Sequence, residues 1–171
     1  MDTQELIAWL EQDEARSRSS RADRLRLLFS EYGPEGIRLF PGGPISATAF
    51  EEARQAYLHG LFLACTIMSQ VCLEHMLAGL FRISGRDDLE RAFFKKLLVE
   101  SRDSRLLSDT EFELFERLRE LRNPYVHPRG PGQSGSLMCR AVEADSTFDD
   151  LVAEDARLAI TALLRLCQRS P

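Results

Sequence analysis

The residues that invite chemistry lie together in one segment, Arg122-Asn123-Pro124-Tyr125-Val126-His127. A guanidinium grips a phosphate through donors held in a planar fork. An imidazole moves a proton near neutral pH. Cleavage of RNA by its own 2′-hydroxyl needs both services. One group must take or give a proton, and another must steady the charge on the phosphate oxygens. That chemistry needs no metal. The four cysteines, Cys65, Cys72, Cys139 and Cys167, form no C-x-x-C pair, and with three histidines no zinc-ligand spacing arises. No metal and no cofactor are expected.

Spacing constrains the pair. An ideal α-helix turns about 100° per residue, so positions five apart differ by about 140° and do not share a face. Arg122 and His127 converge only if the helix is distorted or a second chain completes the site. Pro124 predicts distortion, since it lacks a backbone donor, clashes with the preceding turn and pushes Asn123 away from helical geometry. Pro128 repeats the effect, so the segment is expected at a helix end or kink. An Arg and a His at a helix C-terminus also interact favourably with the helix dipole without any catalysis. The residues alone leave both readings open.

Five helical regions are predicted to carry this segment. The first spans about Thr3 to Glu31, with Arg16-Ser17-Arg18-Ser19-Ser20-Arg21 as a polar stretch that could divide it. With Arg24 and Arg26 the stretch reads as a solvated face, an elbow or a phosphate-contacting patch. Gly33 to Ala47 is a Pro- and Gly-rich connection, pinned to the core by Ile37, Leu39 and Phe40. The second helix spans Thr48 to Ile83, capped by Thr48 with Glu51 and stopped by Gly85. It is apolar on nearly every face from Leu61 to Leu80, which suits a buried helix that also docks a partner. The third spans Asp87 to Ser101, with Leu89, Phe93, Leu97 and Leu98 inward. The fourth starts at the Ser108–Glu111 capping box and carries Phe112, Phe115, Leu118 and Leu121 inward, with a Glu113–Arg117 pair outside. The fifth spans Asp149 to Gln168. Pro128 to Thr147 is read as a long loop.

Composition limits the setting. With 44% apolar and 29% charged residues, 171 residues build one globular domain rather than a disordered chain. A net charge of −5 argues against coating duplex DNA by overall charge. Of the 22 basic residues, 20 are Arg and only Lys95 and Lys96 are Lys. Genome base composition explains that bias, and so does planar phosphate recognition. Cys65 and Cys72 read as small core residues in a reduced cytoplasm. Met1 to Gln12 is mixed and acidic, unlike a secretory signal. The uncharged run from Gly60 to Leu73 is shorter than the roughly 20 residues of a bilayer span, so no membrane association is expected. Other motifs are weaker. His59 and His75 read as core or interface residues, and Asp87 and Asp88 as helix caps. No G-x-S-x-G turn occurs, and Gly42-Gly43-Pro44 is a turn rather than a phosphate cradle.

The segment 122–127 resembles the R-x4-H motif of HEPN domains, with Asn after the Arg. The surroundings agree: "FEEARQAYLHGLFLACTIMSQVCLEHMLAGLF" is similar to the long helix before the motif, and "FELFERLRELRNPYVHPR" to the motif helix. The resemblance covers about Phe50 to Arg129. It implies an all-α, HEPN-like bundle of about five helices, with 1–45 as a helical extension and connecting loop and 46–171 as the domain. HEPN domains often dimerise so that two motifs face one cleft. Many are metal-independent endoribonucleases of toxin–antitoxin, CRISPR or abortive-infection systems. Others are non-catalytic binding or regulatory units. On this resemblance Arg122 contacts the scissile phosphate, His127 transfers a proton and Asn123 orients or binds. Glu74, Arg119, Tyr125 and Arg129 are assigned to substrate binding. The implied partners are a second copy, RNA, and an antitoxin or nucleotidyltransferase.

Overall fold

The computed structural model describes residues 2–32, 40–127, 129–130 and 132–168. Among these the chain is all-helical. Its α-helices are α1 Thr3–Tyr32, α2 Gly43–His59, α3 Phe62–Ile83, α4 Phe94–Asp103, α5 Asp109–Val126, α6 Leu137–Glu143 and α7 Phe148–Gln168. A single 3₁₀ turn, Asp87–Leu89, precedes α4. The described residues thus hold seven α-helices where periodicity predicted five.

α1 is unbroken. Its polar middle stays helical, with the hydroxyls of Ser17 and Ser20 turned back to the carbonyls of Glu14 and Ser17, at 3.2 and 3.0 Å. Polarity there marks a solvated face, not a break. Ile37 and Leu39 lie outside the described residues. Phe40 is packed as expected, with its ring 5.1 Å from that of Phe50.

The expected long second helix is a hairpin of two. At the break Gly60 has φ +77°, which a residue with a Cβ adopts only at a cost. Leu61 N donates to Ala56 O at 2.8 Å and Gly60 N to Tyr57 O at 3.1 Å, closing a Schellman turn. α2 starts earlier than predicted, with Gly42 as N-cap and Pro44 in the first turn. Thr48 lies inside the helix, and Glu51 binds Arg54 and Gln55 instead of capping. The turn leading into α2 lies hard against α3, since a Cβ on Gly79 would overlap the Pro41 carbonyl. Cys65, Cys72, Leu73, Met76, Leu77 and Phe81 then fill the core from α3.

At 22 residues α3 is long and apolar enough to cross a bilayer, because it continues beyond the uncharged run. Half of its apolar window is buried inside the bundle. α3 packs against α2, α4, α5 and α7. Gly85 ends it as expected, with Arg86 N donating to Phe81 O at 2.9 Å.

The third predicted helix is the 3₁₀ turn plus the shorter α4. Leu89, Leu97 and Leu98 are buried, but Phe93 precedes α4 and is 88% exposed. Asp88 pairs with Arg86 at 2.8 Å rather than capping a helix. α5 opens with the predicted capping box, Ser108 N donating to the Glu111 carboxylate at 2.9 Å. Phe115, Leu118 and Leu121 are buried, while Phe112 lies half-buried under Arg102. No ion pair joins Glu113 to Arg117 among the described residues; Arg119 pairs with Glu116 at 2.8 Å instead. The predicted 128–147 loop contains α6, capped by Ser136, whose hydroxyl accepts from Cys139 N. His59 is exposed and His75 half-buried, so neither is a core histidine.

Candidate functional site

α5 delivers the motif and runs through Pro124 to Val126. Asn123 keeps helical geometry, contrary to expectation. Pro124 sits in the last turn, where only the hydrogen bond to Glu120 is forgone and little helix remains to be disturbed. Two anchors hold that turn down. Leu121 is buried in the core, and the Tyr125 hydroxyl donates to the Asp155 carboxylate of α7 at 2.6 Å.

His127 is the residue at which the helix ends. Its backbone is extended (φ −121°, ψ 119°), and its N–H donates to Asn123 O at 2.9 Å. The imidazole is exposed. Pro128 lies outside the described residues.

Arg122 is half-buried, and its Nε is buried without a hydrogen-bond partner. It stands near enough to Glu74 of α3 to act electrostatically on it. The Glu74 carboxyl is pushed above its usual range by burial, and the charges of His75 and Arg122 only partly offset this.

The principal cleft lies beside these residues. It has a volume of about 830 Å³ between α5, α6 and α7, and neither Arg122 nor His127 lines it. Of the predicted residues, it brings together Asn123 and Arg129. Arg129 Nη1 donates to Ser134 O at 3.1 Å, which folds the α5–α6 connection against the rim. Arg119 is held by Glu116, and Tyr125 is turned to Asp155.

The floor of the cleft is a buried ion pair that sequence reasoning missed. Asp155 is 4% exposed and accepts two hydrogen bonds from Arg140, at 2.6 and 2.8 Å, besides that from Tyr125. Burial, then the bond to Asp155, pushes the Tyr125 hydroxyl well above its ordinary value, so it stays a neutral donor. A signal was present in the sequence. Asp155 interrupts the inward stripe of α7 between Val152 and Ala159, and a buried carboxylate requires a cation. Its partner was hidden because Arg140 lies on the helix read as loop. Arg117, Arg157 and Arg165 complete the basic part of the wall, opposed by Glu120, Glu143 and Glu154. Among the described residues, no group of three His, Cys, Asp or Glu is placed to hold a metal ion.

Comparison with protein-family models, with curated proteins and with solved structures finds no match to this chain.

Proposed function

We propose that the chain is a metal-independent endoribonuclease of HEPN type, with Arg122, Asn123 and His127 as its working residues. The observation that carries this reading is the state of the motif. An exposed imidazole ends α5, five residues after a half-buried arginine with an unused Nε donor. Arg122 inclines towards Glu74 of α3, whereas Asn123 lines the cleft. We therefore place the reaction at a composite site, where Arg122 of one chain and His127 of the other meet one phosphate. The RNA 2′-oxygen attacks phosphorus and the P–O5′ bond breaks. The products are a 2′,3′-cyclic phosphate and a 5′-hydroxyl. His127 transfers the proton, Arg122 steadies the non-bridging oxygens, and Asn123 orients the backbone.

A mixed panel of single-stranded and structured RNA, incubated in EDTA, tests this. The wild type cuts and His127→Ala does not, with fold and assembly intact. Unchanged cutting by His127→Ala overturns the assignment. The core cysteines Cys65 and Cys72 favour a reducing, cytoplasmic setting, and by the resemblance we assign the protein to a toxin or RNA-targeting defence system with an antitoxin partner.

A second reading is favoured by the arginine-rich cleft, whose volume suits a nucleotide. In it the chain is a non-catalytic binding module, or the nucleotide-binding partner of a separate nucleotidyltransferase. Titration calorimetry with ATP tests the nucleotide-binding form of this reading, and no heat at millimolar nucleotide counts against that form.

A further inference from the structure

The N-terminal half of α1 is an arm. Every residue from Asp2 to Arg16 is exposed. Contact with the bundle begins near Arg24, whose Nε donates to Leu58 O at 2.9 Å and whose guanidinium lies 5.6 Å from the Phe62 ring centre. Leu27 and Leu28 then join the core.

The arm carries an apolar side that no other described residue of the chain covers. Leu6, Ile7, Trp9 and Leu10 are exposed by 48, 50, 56 and 56%. Eighteen residues make about five whole turns, so Ile7, Trp9 and Leu10 stand in line with Leu25, Leu27 and Leu28. Of these, Leu27 and Leu28 pack against the bundle. The arm therefore continues the bundle-facing side of α1 past the bundle's edge. At that edge, where Gly60 lies against Arg24, Leu61 and Leu63 are also exposed, by 61 and 44%.

Charge selects the occupant. Asp2, Glu5, Glu11, Asp13 and Glu14 lie on the arm, and no base precedes Arg16. Such a helix is repelled by nucleic acid and by anionic lipid. It suits a protein surface that is apolar and basic. The chain has one, where Leu61 and Leu63 adjoin the part of α1 carrying Arg16, Arg18, Arg21, Arg24 and Arg26.

We propose that the arm docks on a second copy of this chain, the two copies exchanging arms about a two-fold axis. Leu6, Ile7, Trp9 and Leu10 of each copy cover Leu61 and Leu63 of the other. Glu11, Asp13 and Glu14 meet the other copy's arginines. Two-fold symmetry makes the contact twice. This assembly stands independently of ribonuclease activity.

Trp9 is the single tryptophan of the chain, so its fluorescence reports on the docked arm. The full-length protein is followed by sedimentation velocity and Trp emission over a wide concentration range. The expected result is a dimer whose formation shifts Trp9 emission to the blue. Leu10→Asp weakens the dimer by about tenfold or more. Leu63→Asp, on the receiving surface, does the same and returns Trp9 emission to the red; Leu61→Asp repeats the test should Leu63→Asp fail to fold. Glu11→Arg with Glu14→Arg weakens the dimer, and adding Arg18→Glu and Arg21→Glu in the same chain restores it. A monomer at all concentrations overturns the proposal, the arm then serving a different protein. So does a dimer indifferent to Leu10→Asp, or one that responds to the arm but to neither Leu61→Asp nor Leu63→Asp.

Discussion

Asp155 and Glu74 show how differently two sheltered carboxylates behave. Asp155 is matched twice over, by the Arg140 guanidinium and the Tyr125 hydroxyl. Asp155→Ala strands a guanidinium that is itself only 15% exposed, and is expected to cost about 3 kcal/mol or more. Tyr125→Phe leaves the ion pair standing and should cost about 1.5 kcal/mol. Urea titration of both checks the order, and a Tyr125→Phe loss equal to that of Asp155→Ala would refute it. Among the described residues Glu74 lacks a comparable match, and burial raises its pKa. Below about pH 4.5 the carboxyl is protonated in the folded and unfolded chain alike and carries no penalty. As pH rises past that value the unfolded chain releases its proton first, and folded stability falls. Glu74→Gln stays neutral throughout. It should therefore melt higher than wild type near neutral pH, with the gain fading towards about pH 4. A gain that grew on acidification would contradict this account. At this scale the sequence made the motif legible, because Arg122, Asn123 and His127 are adjacent in the chain. It concealed the Asp155–Arg140 floor, because that pair depends on how α6 lies against α7.

Helix termini account for most of what was legible among the elements. The Ser108–Glu111 box and the Gly85 stop are local devices, and both stand where their residues predict. The α2–α3 break was missed because Gly60 sits in an otherwise apolar helical run, and periodicity does not distinguish a long helix from a hairpin. α6 was missed because seven residues are too few for a periodic signal. Two further helices end in the same turn without a glycine, at Arg105 (φ 60°) and Asp145 (φ 46°). At Asp145 the closure is Ser146 N to Ala141 O, 3.0 Å. Asp145→Gly should relieve the left-handed conformation and stabilise the protein by up to about 1 kcal/mol. Gly79→Ala should do the reverse, since its Cβ would overlap the Pro41 carbonyl and force the turn leading into α2 away from α3. Melting temperatures of the two variants should therefore move in opposite directions, and a neutral Gly79→Ala would show that this turn packs less closely than described.

For the whole molecule, the all-helical class followed directly from periodicity and composition. What a helical wheel leaves open is how the motif works. Arg122 and His127 differ by about 140° along an ideal helix, and α5 runs through Pro124 to Val126. Subunit complementation tests the proposed two-chain site. Arg122→Gln and His127→Ala chains are co-expressed with different tags, and the mixed dimer is isolated and assayed on RNA in EDTA. Each variant alone should be inactive. The mixed dimer should regain cleavage, with 2′,3′-cyclic phosphate ends, because one of its two sites keeps both residues. A wild type that cuts while the mixed dimer does not would place Arg122 and His127 in the same chain's site, and a wild type that never cuts RNA would contradict the account as a whole.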